Sequence, residues 1–310
     1  MDLVDALCSN TTASSVVELS LNPAFRRSYT ALYKGIAEAE IAEECLATLL
    51  GPHLPTPERL PFWLLGVDVT SQPRRFSRTL RDRSMVYQPN QIKGNKPVTI
   101  GHQYSIVALL PEKAATTVPW IVPLATERVE SPADKERVGA KQIERLLNNP
   151  DRPFHGKLCV EVGDTSYSKP AYLAANRHHA NLVTIARVRS NRTFYCQPEA
   201  DDTVTGGHPR WYGDRFSLKD PATWHPADES VTLTQTSHRG RSYRVEIQAW
   251  HDLLMRGKRK PRRVPMHQYP FTLLRICWYD AWGRPVHQRQ LWLLVIGERR
   301  HELTLMHSYQ

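Results

Sequence analysis

Apolar and polar positions along the chain fall into blocks that predict strands and helices from about residue 60 onward. Trp63, Leu64, Leu65 and Val67 form an apolar strand that presents Asp68, after which the chain turns polar. Tyr104 to Leu110 and Trp120 to Leu124 read as two more strands, with Pro111 and Pro123 at their ends. Ala133 to Leu147 has helical spacing. Val138, Ile143, Leu146 and Leu147 line its apolar side; Lys135, Glu136, Arg137, Lys141, Glu144 and Arg145 line the other. Leu158, Cys159, Val160 and Val162 then make a strand that delivers Asp164 at its tip. A polar turn, Thr165 to Ser168, opens a helix with Pro170 in its first turn that runs to about His179. Leu182, Val183, Ile185, Ala186 and Val188 return as a strand. A strand, a helix and a strand in so short a span make a βαβ unit, whose parallel strands need a crossover of this length.

Upstream, residues 1–22 carry no strong pattern. From Pro23 to Leu50, apolar residues including Phe25, Tyr29, Leu32, Ile36, Ile41, Leu46 and Leu50 recur at helical spacing, which predicts one helix stopped at Gly51-Pro52. Its acidic face makes it a poor DNA reader, so it is expected to pack on the core or to dimerise. Pro52 to Pro61 holds four prolines and reads as a linker. Downstream, residues 196–230 are loop-like. Strands follow at Val231 to Thr236 and Ser242 to Trp250, joined at His238-Arg239-Gly240, then at Phe271 to Tyr279 and His287 to Ile296. The implied division is a helical segment and linker (1–60), a core (61–195), a β-rich insertion (196–285) and a return strand (286–310). Within the core the order is three strands, helix, strand, helix, strand. That is the order of an RNase H-like α/β fold, a mixed sheet with flanking helices.

Charge sharpens this picture. The chain carries a net +10 over 310 residues. Residues 1–60 hold four basic and eight acidic side chains, 4 − 8 = −4, so the remainder carries 10 + 4 = +14. A positive surface of that size suits a polyanion. Six of the eight residues in RGKRKPRR are basic, and Arg256, Lys258, Arg259, Lys260, Arg262 and Arg263 are the candidate contacts to DNA phosphates. Five scattered cysteines without C-x-x-C spacing imply reduced thiols. The first ten residues contain two aspartates and no basic flank, unlike a signal peptide, and no apolar run is long enough for a bilayer. The expectation is a soluble, cytoplasmic protein. No G-x-x-x-x-G-K-[ST] loop or G-x-S-x-G elbow occurs, so neither a nucleotide cofactor nor a hydrolase nucleophile is indicated.

Asp164 sits where α/β folds place their chemistry, just past the carboxyl end of a strand; the plainer reading is an aspartate that caps the next helix. Asp68, ending another strand, is its natural partner. If the two strands are neighbours, 164 − 68 = 96 positions of sequence are no obstacle to a shared divalent ion, because adjacent strands lie only about 5 Å apart. Carboxylates are the ligands that Mg²⁺ or Mn²⁺ prefers.

Four segments, GVDVTSQPRRFSRTLRDR (66–83), KGNKPVTIGHQYSIVALL (93–110), VEVGDTSYSKPAYL (160–173) and RQLWLLVIGERRHELTL (289–305), resemble the DDE transposases of bacterial insertion sequences, in particular the DDE superfamily endonucleases. The resemblance covers the chain from about residue 60 onward. It implies an RNase H-like fold, Asp68 and Asp164 as catalytic metal ligands in a two-metal site, transposon-end DNA as substrate, and strand cleavage and transfer as the activity. A glutamate on a later helix, accompanied by a Tyr and an Arg, completes the family's ligand set. Here Tyr309-Gln310 is reached before such a helix, and Glu298 and Glu302 look like solvated charges, so a truncation is expected. With two carboxylates alone, the alternative is a DNA-binding remnant without catalysis.

Overall fold

The computed structural model describes residues 2–40, 43–77, 79, 81–88, 97–112, 120–131, 134–199, 210–237, 240–257, 264–288 and 290–305. Two compact units divide at Pro52. The first holds α1 (Asp2–Cys8), α2 (Val16–Leu19), α3 (Tyr29–Glu38) and α4 (Glu43–Leu50). Ala6, Leu19, Phe25 and Leu32 form its small core. Ser15 Oγ accepts the Glu18 N–H while Glu18 Oε2 accepts the Ser14 N–H, a reciprocal cap that starts α2 in a stretch without apolar periodicity. The single helix expected from Pro23 to Leu50 is broken: α3 ends at Ala39, whose backbone is extended. An unbroken helix would stack Glu40 against Glu43 and Glu44 at i+3 and i+4, and like charges at those spacings repel.

The second unit is built on one mixed sheet. Its strands are β1 (Trp63–Pro73), β2 (Ser84–Tyr87), β3 (Val98–Leu109), β4 (Val122–Val129), β5 (Cys159–Gly163), β6 (Leu182–Val188), β9 (Glu229–Thr236), β10 (Ser242–Leu253), β11 (Phe271–Tyr279) and β12 (Leu291–Ile296). The spatial order is β2-β3-β1-β5-β6-β12-β11-β10-β9, with β4 also on β3. Two short strands, β7 (Thr193–Tyr195) and β8 (Arg215–Ser217), pair separately. Helices α5 (Lys135–Asn148) and α6 (Pro170–Ala175) complete the βαβ region. This is the expected RNase H-like α/β arrangement. The residues read as an insertion contribute β9, β10 and β11 to that same sheet through β12.

One face of the sheet buries Trp63, Leu65, Val67, Val107 and Leu109 with Ile143 and Leu147 of α5; the other buries Val160, Val183, Ile185, Ile247, Leu274 and Val295. β5 and β6, buried on both faces, are apolar except for Glu161, Thr184 and Arg187. Among the described residues no helix is long and apolar enough to cross a membrane. All five cysteines are free, and burial beside Glu161 pushes the Cys159 thiol up to about 12.

A buried polar chain crosses the middle of the sheet. Thr184 Oγ1 donates to Glu161 Oε1 at 2.6 Å and accepts from Arg177 Nη2 at 2.5 Å, while Tyr172 Oη donates to Glu161 Oε2 at 2.9 Å. Arg177 Nη1 reaches the Ile296 carbonyl at 2.6 Å. Burial pushes the Glu161 carboxyl up, while the Thr184 hydroxyl, the Arg177 charge and the Tyr172 hydroxyl pull it down. The chain joins β5, β6, β12 and the segment after α6. Removing one charge from it strands the other, so Arg177→Met is expected to cost about 3–5 kcal/mol, read as a lower urea midpoint at unchanged slope. Glu161→Gln combined with Arg177→Met should recover most of that loss, since no buried charge then lacks its partner.

Candidate active site

β1 and β5 are neighbours and run parallel, paired from Trp63↔Cys159 to Val67↔Gly163. Every pair has the same offset, 159 − 63 = 163 − 67 = 96, which is also 164 − 68. One residue beyond Gly163, Asp164 therefore comes level with Asp68, on strands about 4.8 Å apart. Both side chains are exposed. Asp68 stands within β1 rather than at its tip, because β1 continues to Pro73 in its antiparallel ladder with β3. The polar composition after Asp68 reflects a strand leaving the core, not a turn.

Backbone donors set both carboxylates. The Val69 N–H donates to Asp68 Oδ1 at 2.8 Å, and the Ser166 N–H donates to Asp164 Oδ1 at 2.7 Å. Beneath them lies Tyr167, 1% exposed, its ring lodged between β5 and α5. A Cβ on Gly163 would stand 2.9 Å from Tyr167 Cβ, and one on Gly139 would stand 3.2 Å from Tyr167 Cε1. At Gly163 a Cβ would force the ring to shift, whereas at Gly139 its neighbours need give by only a few tenths of an ångström. Burial raises the Tyr167 hydroxyl pKa, and the charges of Asp68, Asp164 and Glu136 raise it further, against a smaller opposite effect of Ser105. The phenol thus stays neutral under three acidic side chains.

Sequence reading took Lys135 and Glu136 as part of a solvated helix face; the topology brings them to the aspartates. β4 is antiparallel to β3, and β3 to β1, so β4 runs with β1 and delivers the start of α5 to the end of the sheet that carries Asp68 and Asp164. Lys135 Nζ donates to Ser166 Oγ at 2.8 Å, and Lys169 Nζ pairs with Glu136 Oε1 at 2.5 Å. The strand order alone was the signal for this convergence.

Glu298 and Glu302 go elsewhere. β12 runs against β6, from Trp292↔Val188 to Ile296↔Thr184, and Gly297 then backs onto the Leu182 carbonyl. Leu182 is level with Cys159, five residues before Asp164. Glu298 therefore lies roughly 16 Å from the aspartates along the strand direction at about 3.3 Å per residue. Glu302 is held by Arg299 at 2.5 and 2.6 Å. Among the described residues no three His, Cys, Asp or Glu side chains group closely enough to hold a metal ion.

The DDE superfamily endonuclease family model matches residues 2–257. The chain belongs to this family. No curated protein matches it. The match takes in the N-terminal helical unit as well as both aspartates, whereas the quoted segment 289–305 lies beyond it. In this endonuclease-family chain several histidines and tryptophans have partners of their own. His102 Nε2 lies 3.0 Å from the Arg81 carbonyl, and His178 stacks beside His179 at 4.1 Å with its Nε2 3.8 Å from Glu144. Trp250 and Trp292 are core and Trp224 packs on both; Trp282 is exposed under Arg284, and Trp211 stacks on His267 at 4.3 Å. Of the basic run, Arg256 lies over the rings of Tyr195 and Tyr212 at 4.6 and 5.9 Å. Lys258, Arg259, Lys260, Arg262 and Arg263 fall outside the described residues.

The glycine contacts give a graded expectation. Gly163→Ala forces Tyr167 to move and should cost about 1–3 kcal/mol. Gly139→Ala meets Val67 and Tyr167 at 3.1 and 3.2 Å but gains about 1 kcal/mol of helix propensity, so it should be near neutral. Urea denaturation of the two variants side by side checks this order.

Proposed function

We propose that this endonuclease-family chain cuts and joins DNA at transposon ends, with Asp68 and Asp164 as the ligands of Mg²⁺ or Mn²⁺. The observation that carries the reading is the parallel β1–β5 ladder, whose register ends at Val67↔Gly163, one residue before Asp68 and Asp164. Two exposed oxygen donors side by side, each already oriented by a backbone N–H, fit a hard divalent cation. When bound, such a metal supplies an activated oxygen nucleophile and stabilises the leaving oxygen in phosphodiester chemistry.

The chain's own part is positioning. The β1–β5 ladder sets the spacing of the carboxylates, and the Ser166 and Val69 amides fix their rotation. The excess positive charge after residue 60 supports DNA as the substrate class.

Asp68→Asn and Asp164→Asn remove anionic ligands while preserving shape. Each is expected to abolish Mn²⁺-dependent nicking of supercoiled DNA, leaving the melting temperature and the affinity for duplex DNA close to those of the parent chain. Retained nicking in both variants would overturn the reading; unfolding of both would make the pair structural.

A further inference from the structure

We propose that Lys135 is a phosphate-positioning residue of this site, holding the backbone of the DNA strand beside Asp164. The inference rests on the reading of the aspartate pair as a DNA-cutting centre and adds a residue to it. Lys135 Nζ donates to Ser166 Oγ at 2.8 Å, and the same hydroxyl lies 3.5 Å from Asp164 Oδ2. The ammonium is thus within two hydrogen-bond lengths of the carboxylate proposed to face the reacting phosphate.

Its partner is what sets it apart. Lys169 has a counter-ion in Glu136, whose side chain is only 12% exposed. Lys135, half-buried, rests instead on a neutral hydroxyl. A partly desolvated ammonium with a neutral partner recovers little of its lost hydration. A lysine carries three donors and serves as a point-charge ligand for phosphate, so Lys135 has donors left for an anion. Its place on the first residue of a fourteen-residue helix adds the positive end of the helix dipole to the same spot. Ser166 ties the arrangement together, since its N–H orients Asp164 while its hydroxyl receives Lys135. A phosphate oxygen arriving beside Asp164 would take over the ammonium from Ser166, so the lysine is aimed before the substrate arrives.

The competing explanation is mechanical: Lys135 merely fastens the start of α5 to the turn after β5. Salt dependence separates the two. Binding of a short fluorescein-labelled DNA duplex is followed by anisotropy between about 50 and 200 mM NaCl without divalent metal. The full chain carries Asp68→Asn, which prevents cutting. Adding Lys135→Gln should weaken binding several-fold and reduce the slope of log Kd against log [NaCl] by about one, the loss of one phosphate contact. Lys135→Arg should restore the slope. Should Lys135→Gln and Ser166→Ala lower the melting temperature alike while both keep the parental slope, the lysine is a fastener and the proposal falls. If the parent chain binds no duplex at all, the underlying reading of the site falls with it.

Discussion

The parallel pairing of β1 with β5 is the constraint on which the rest of this molecule depends. A parallel ladder admits no tight turn, so the chain between its two strands has to travel out and back. Here it does so through β2, β3, β4 and α5. The constant offset of 96 along the ladder turns that detour into a local arrangement in which two carboxylates almost a hundred residues apart become lateral neighbours. A slip of one residue would place one aspartate on the opposite side of the sheet from the other, because side chains alternate with a period of two.

Two linked buried features protect that register. Tyr167 fills the space between β5 and α5, packed against Gly163 and edge-on to Tyr172. Through Glu161, Thr184 and Arg177, the polar chain fastens β5 to β6 and to the end of β12. Its groups are expensive to bury and satisfied chiefly by one another, so the strands have little freedom to slide independently. Glu161 stands three residues before Asp164 on the same β5 segment.

The same topology accounts for the charge balance around the aspartates. Because β4 runs with β1, the following helix begins at the carboxylate end and brings Lys135 and Glu136 with it. Lys169, from the segment that opens α6, balances Glu136. The site is therefore a mixed field of acids and lysines. The helical N-terminal unit is acidic overall and has its own small core.

Read alone, the residues determined the RNase H-like arrangement and, apart from the short β2, the strand and helix order of the central region, and they named Asp68 and Asp164 as candidates. Those features rest on local periodicity and on strand tips, which amino-acid order encodes directly. Periodicity over-extended the helix at Pro23 to Leu50, because it counts apolar spacing and does not see the extended backbone at Ala39. It ended β1 too soon, because a strand leaving the core loses its apolar pattern while keeping its hydrogen bonds. Only the tertiary structure decided that residues 229–279 extend the same sheet, that Glu298 lies at the far end of the strands, and that Lys135, Glu136 and Tyr167 surround the aspartates. The physical reason is that these relations depend on strand direction and register, which arise from hydrogen bonds between segments distant in the chain.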